Sequence, residues 1–172
     1  MIIALAGYMG SGKSHISKLL SEKLNFKLID LDKEISKKNN LTVAEIFNNK
    51  GELYFRKQER ELLEVILANE ENAILSLGGG TPAYYNNMDV INQNSISFYL
   101  RANVNTLVER LSRQKSKRPL IANISDADLP EFIAKHLFER NIFYNKSQFT
   151  ISTDDKTPED ITTEIIHHLP IH

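Results

Sequence analysis

GYMGSGKS, residues Gly7 to Ser14, fits the pattern G-x-x-x-x-G-K-[ST] of a phosphate-binding loop. The spacing has a chemical reason. Backbone N–H groups must wrap around phosphate oxygens, and Gly7, Gly10 and Gly12 keep side chains out of that space. A helix opening behind the loop adds the positive end of its dipole. Gly10, Ser11, Gly12, Lys13 and Ser14 are thus the expected nucleotide contacts, with His15 beside them on the first helical turn. Lys13 is expected to reach the β- and γ-phosphates, and the Ser14 hydroxyl to ligate Mg2+.

The flanks agree with the motif. The apolar run Ile2 to Ala6 reads as a buried strand, and Ile16, Leu19, Leu20 and Leu24 recur at helical spacing. Further on, Phe26 to Asp32 reads as a second strand and Lys33 to Lys38 as a short polar helix. Thr42 with Glu45 forms a capping box for a helix that is interrupted near Gly51 and resumes through Leu67. Ala73 to Leu77, Ser95 to Leu100 and Phe149 to Ser152 read as three more strands. Helices are expected from Val104 to about Arg113, from Leu129 to Tyr144, and from Pro158 to about His168. Strands alternate with helices throughout. The expected fold is α/β: a three-layer α/β/α P-loop NTPase with a five-stranded parallel sheet, in one domain spanning 1–172.

Composition narrows the function classes. The net charge of −1 implies no general affinity for nucleic acid, so an anion site has to be built locally. The absence of cysteine excludes disulfides, thiolate metal sites and cysteine nucleophiles. The N-terminal MIIALAGYMG lacks a basic signal-peptide region, and no stretch approaches the roughly 20 apolar residues of a membrane span. A cytoplasmic protein with no membrane partner is expected. GTPase chemistry is set aside as well. NKSQ, Asn145 to Gln148, only approximates N-K-x-D, and Gln148 lacks the charge and second carboxylate oxygen that guanine recognition needs.

Three further features carry chemistry. Asp30 and Asp32 stand at the expected carboxyl end of the second strand, where an open parallel sheet binds its ligands. Spaced i, i+2 in extended backbone, they face the same way, and suit Mg2+ and the proton of an attacking hydroxyl. Helix N-capping by Asp32 is the competing reading. Arg56, Arg118 and Arg140 occupy positions where a planar fork for carboxylate or phosphate is useful: after Phe55, before Pro119 in a long polar loop, and one turn before Tyr144. Gly78, Gly79 and Gly80 follow the third strand and account for three of the seven glycines. A side chain at Gly79 or Gly80 is expected to occupy space that an acceptor substrate needs.

The ordered set GYMGSGKS, IDLD, FR after Gly-Glu, LGGG, RPL and R-x-x-x-Y resembles shikimate kinase, a P-loop small-molecule kinase similar to the nucleoside monophosphate kinases. The resemblance runs from Ile3 to Pro158. It implies transfer of the γ-phosphoryl group of ATP to the 3-hydroxyl of shikimate, a step toward the aromatic amino acids, with Mg2+ as cofactor and a monomeric protein. It implies that Asp32 contacts the hydroxyls, that Asp30 supports the metal through water, and that Arg56 and Arg140 clamp the carboxylate. Gly78, Gly79 and Gly80 would line the substrate. Arg118 would close over the phosphates from a lid at about 112–126, and Arg110 and Pro158 would flank adenine. Asp32, Lys13 and Arg118 would be the catalytic set. A substrate-binding subdomain is expected at about 31–61, with Phe47 and Phe55 either as apolar walls of the substrate pocket or, equally, as core residues. Two departures stand out: His15 after Ser14, and Thr81-Pro82 after the glycines, in place of the commoner small or branched apolar pair. His136 is expected on a helix surface, and His167, His168 and His172 in a solvated tail rather than a metal site.

Overall fold

The computed structural model describes residues 1–170. Its centre is β1 (Ile2–Ala6), buried along its whole length. Ile3 and Leu5 point into one core, while Ile2, Ala4 and Ala6 point into the other. That two-sided burial is what a continuous apolar strand requires. The other strands are β2 (Lys27–Asp30), β3 (Ala73–Ser76), β4 (Ile96–Arg101) and β5 (Phe149–Ser152). All pair in parallel, in the order β2-β3-β1-β4-β5.

Helix α1 (Lys13–Leu24) and helix α8 (Pro158–His167) cover one face, with Ile16, Leu20, Ile161 and Ile165 in its core. The opposite face carries α2 (Leu31–Asn39), α3 (Val43–Lys50), α4 (Glu52–Asn69), α5 (Asn87–Asn94), α6 (Val104–Ser112) and α7 (Leu129–Tyr144). Thus the chain leaves β1 toward one face and β3, its neighbour, toward the other. This is a topological switch point, and a crevice opens there at the carboxyl ends of the strands. The phosphate loop and the three glycines form its two lips.

Local chemistry explains most boundaries. Thr42 and Glu45 form the anticipated reciprocal cap of α3 at 3.1 and 2.8 Å. Gly51, at φ 85°, breaks α3 from α4. One boundary differs from expectation in a way that matters. The second strand ends at Asp30, not Asp32, because the Asp30 carboxylate accepts the Lys33 N–H at 3.2 Å and caps α2. Asp30 is therefore the capping residue, and Asp32 lies in the first helical turn. The shared direction of the two carboxylates comes from this strand-to-helix corner, not from extended backbone.

The sequence reading missed α5 and the 3₁₀ turn Thr81–Ala83 before it. The polar NMDVINQN has only Met88 and Ile91 fully buried among its apolar residues, too little periodicity to register. No helix among the described residues is long and apolar enough to cross a membrane. Gln148, the tempting guanine reader, instead bonds Ser97 N–H at 3.1 Å and the Asn92 carbonyl at 3.2 Å, beside the start of β4 and away from the ligand edge. No group of metal-ligating side chains gathers around His167 and His168 among the described residues; the His168 ring packs on Phe149 at 4.8 Å. His172 lies outside the described residues.

Candidate active site

One cavity of about 820 Å³ occupies the switch-point crevice. Its first wall is the phosphate loop, Gly10 to His15, running into α1. Gly12 serves as the N-cap of α1 at φ 95°, a conformation that side chains rarely adopt. Gly10 sits at φ 80°, and a Cβ there would come within 3.0 Å of Leu111. The loop is braced from behind by Arg110, whose Nη1 donates to the Gly10 carbonyl at 3.0 Å. Lys13 folds back so that its ammonium donates to the Gly7 and Tyr8 carbonyls. Burial, the largest influence, lowers its pKa to about 8, against the opposing pull of Asp32.

The second wall is the β2–α2 corner. Asp32 and Asp30 both line the cavity. Burial raises the Asp32 pKa to about 6, reinforced by the negative charges of Glu59 and Asp30 and opposed by Lys13 and Arg56. Gly78 lies directly beneath: a Cβ there would meet Asp32 Oδ1 at 2.7 Å. Ser14 and Asp30 together offer a hydroxyl and carboxylate oxygens, the hard donors that Mg2+ takes, so the residues present fit that ion.

The third wall carries arginine. Arg56, on α4, is only 9% exposed at its side chain, and its Nη1 donates to the fully buried Glu59 at 3.0 Å. The second Glu59 oxygen accepts from Thr81 Oγ at 2.8 Å. Arg140, on α7, approaches from the other side. A Cβ on Gly80 would stand 2.6 Å from Arg56 Nη2 and 3.0 Å from Arg140 Nη1, so the two guanidiniums flank this glycine. Among the described residues neither Arg140 nor Arg118 forms an ion pair with a carboxylate. Two cations are thereby left for a ligand. Arg118 reaches the cavity with Pro119 and Leu120 from the segment between α6 and α7, and Pro158 closes the far end.

Every residue assigned from sequence to catalysis, ATP, substrate carboxylate or metal lines this one cavity, but not each in the manner expected. Gly79 stands apart from its neighbours. A Cβ there would face Gly7 O, Met9 N and Tyr144 Oη, each at 3.9 Å, which is ordinary contact on the phosphate-loop side. The steric argument against a side chain therefore belongs to Gly78 and Gly80. Phe47 and Phe55 do not line the cavity; they pack on each other at 4.7 Å and back Arg56. His136 is half-buried on its helix rather than freely exposed. It lines the cavity one turn before Arg140, and its Nδ1 is 2.8 Å from Tyr8 Oη. Burial and Arg140 lower its pKa, while burial raises that of Tyr8. Both groups are therefore held in their neutral forms, sharing one proton between them.

Sequence reasoning also missed Glu59 and Tyr144. Glu59 sits three residues after Arg56, a helical spacing that was available as a signal. Tyr144 is fully buried and donates to the Gly79 carbonyl at 2.6 Å, a contact across 65 positions that no local pattern carries.

The chain matches the family model described as shikimate kinase over residues 9–170. This chain belongs to the shikimate kinase family. It is 48% identical to the shikimate kinase of Flavobacterium psychrophilum over 164 residues, 95% of each chain. The crystal structure of shikimate kinase from Bacteroides thetaiotaomicron superposes with a TM-score of 0.92 at 33% identity, covering 99% of both chains. Shikimate kinase from Acinetobacter baumannii in complex with shikimate gives 0.86 at 28% identity, over 96% of this chain and 90% of that one. A deoxyadenosine kinase from M. mycoides shares the fold at a TM-score of 0.60 and 19% identity. The α/β P-loop kinase architecture expected from the sequence is the one observed.

Proposed function

We infer that this shikimate kinase family member transfers the γ-phosphoryl group of ATP to the 3-hydroxyl of shikimate, giving shikimate 3-phosphate and ADP. The carrying observation is the two-ended cavity. A phosphate loop with Lys13 forms one end, and Arg56 and Arg140 converge on Gly80 at the other. Asp32 lies against Gly78 between them. A carboxylate needs forked donors, a polyol needs a carboxylate acceptor, and a triphosphate needs the loop; this cavity supplies all three.

The site roles follow from that geometry. Arg56 and Arg140 bind the shikimate carboxylate and fix the ring. Asp32 accepts a hydrogen bond from the attacking hydroxyl; a pKa near 6 lets it hold that proton during transfer and remain ionised at neutral pH. The backbone of Gly78, Gly79 and Gly80 faces the acceptor. Gly10 to Ser14 cradle the phosphates, with His15, Arg110 and Pro158 toward the adenosine. Lys13 and Arg118 neutralise charge that builds on the transferring group, a role worth about a thousandfold or more for a well-placed arginine. Mg2+ would be held by Ser14 and, through water, by Asp30; when bound it supplies neutralisation of the phosphate oxygens. The segment at about 112–126 acts as a lid that excludes water, since water would compete as acceptor. Residues 31–61 act as the acceptor-binding subdomain. We place the protein in the cytoplasm as a monomer.

An ADP-release assay with shikimate, gluconate and nucleoside monophosphates tests this reading. Turnover with shikimate alone is expected. Turnover only with gluconate or a nucleotide would overturn it, and no turnover with any of them would make the chain a nucleotide-binding protein.

A further inference from the structure

We propose that Tyr84 is a positioning residue for Arg56: its ring holds the guanidinium plane, and its hydroxyl holds Glu52 out of hydrogen-bonding reach. The proposal rests on the reading of Arg56 as a carboxylate-binding group.

Tyr84 follows the 3₁₀ turn Thr81–Ala83, the segment that carries the Thr81-Pro82 departure. That turn is fixed at its start. Thr81 donates to the buried Glu59 at 2.8 Å, and Asn87 Nδ2 donates to the Thr81 carbonyl at 2.9 Å. The turn therefore delivers Tyr84 to a set position beside Arg56. The guanidinium carbon lies 3.9 Å from the Tyr84 ring centroid, against 5.2 Å for Phe55 and 5.8 Å for Phe47. At 3.9 Å the guanidinium carbon lies over the ring face well inside cation–π range, which attracts the cation without using any of its N–H donors.

The hydroxyl does a second thing. It donates to Glu52 Oε1 at 2.5 Å, and this bond is the leading reason the Tyr84 pKa is raised. The same Glu52 oxygen is 3.6 Å from Arg56 Nε, near enough for attraction but beyond a hydrogen bond. Arg56 Nε is buried without a hydrogen-bond partner among the described residues. So Glu52 is engaged by Tyr84 rather than by Arg56. Released from that hydroxyl, its carboxylate would close the remaining gap to Nε, turn the guanidinium, and compete with a substrate carboxylate for the donors that Glu59 leaves.

The test uses the full chain with Tyr84→Phe, Tyr84→Leu, Glu52→Gln, the Tyr84→Phe/Glu52→Gln double variant, and Arg56→Lys as the control on the site. KM values for shikimate and for ATP are measured for each, with calorimetric titration of shikimate. Tyr84→Leu, which loses ring and hydroxyl, is expected to raise the shikimate KM about tenfold and leave the ATP KM within about twofold. Tyr84→Phe keeps the ring and is expected to raise the shikimate KM about threefold, and adding Glu52→Gln is expected to restore it. A purely structural tyrosine would not be rescued by neutralising Glu52. The proposal is overturned if both Tyr84 variants keep the wild-type shikimate KM while Arg56→Lys raises it, or if Glu52→Gln fails to rescue Tyr84→Phe. An unchanged shikimate KM in Arg56→Lys would overturn the reading of Arg56 itself, and the proposal with it.

Discussion

Gly80 lies so close to Arg56 that a methyl group on it would stand 2.6 Å from Nη2. The guanidinium is the far end of a long side chain, but Glu59 holds it at Nη1, so it has little freedom to yield. Gly80→Ala is therefore expected to displace the carboxylate fork without unfolding the protein. Steady-state kinetics are expected to give a shikimate KM raised about tenfold or more, with the ATP KM changed less than about twofold. Gly79→Ala, with only 3.9 Å contacts, is expected to change both by less than about threefold. Equal shikimate losses at Gly79 and Gly80 would refute the orientation.

Asp32 trades stability for chemistry. Its pKa is raised to about 6 in the folded chain from an ordinary 3.8, so between these values the folded state binds more protons than the unfolded one. Stability on this account is fully present below pH ~4 and falls as pH rises toward ~6, reaching a cost of up to about 3 kcal/mol at neutral pH. Asp32→Asn is expected to raise the melting temperature at pH 7.5, to lose that advantage near pH 4, and to cut turnover about a hundredfold or more. In the wild type, kcat/KM for shikimate is expected to fall below pH ~6 as the carboxylate is protonated. Calorimetric melts at the two pH values, with a pH–rate profile, check this.

Lys13 has the opposite shift. Its pKa of about 8 in the free protein means that the ammonium starts to lose its proton just above neutrality. A triphosphate beside it favours the charged form and raises the pKa again. Binding of ATP at pH 8.5 is therefore expected to take up protons, and affinity to decline by up to about tenfold per pH unit above 8. Calorimetric titration of ATP in two buffers of different ionisation enthalpy reads the proton count directly; no buffer dependence would contradict it.

Tyr144 ties the glycine strip to α7 through its 2.6 Å bond to the Gly79 carbonyl, from a fully buried position. Tyr144→Phe keeps the ring against Tyr99 but leaves that carbonyl without this donor. A loss of about 1–2 kcal/mol is expected. In a chain of 172 residues that is a fall of roughly 2–8 °C in Tm. Thermal unfolding followed by circular dichroism measures it.

Much of the fold was legible because it is written in short-range patterns. The glycine spacing of the phosphate loop, the capping box at Thr42 and Glu45, the break at Gly51 and the apolar runs of the five strands depend on neighbours within a few residues. Helix α7 begins and ends at the expected Leu129 and Tyr144. Helix α5 was not legible, since its burial comes from α4 and β4 packing over it rather than from its own period. The corner at Asp30 was misread because a capping aspartate and a strand-end aspartate look alike until the next turn closes.

By itself the sequence determined the phosphate loop, the alternation that builds the parallel sheet, and which residue types carry the chemistry. Only the tertiary structure decided how the charges are distributed among partners. Arg56 is occupied by Glu59 and shadowed by Tyr84, Arg140 has no carboxylate partner among the described residues, His136 is hydrogen-bonded to Tyr8, and Asp32 is driven up in pKa. The physical reason is range. Backbone conformation is fixed by contacts along the chain, whereas pairing, stacking and desolvation depend on groups that packing brings together from distant elements, and these set what each ionisable group can do.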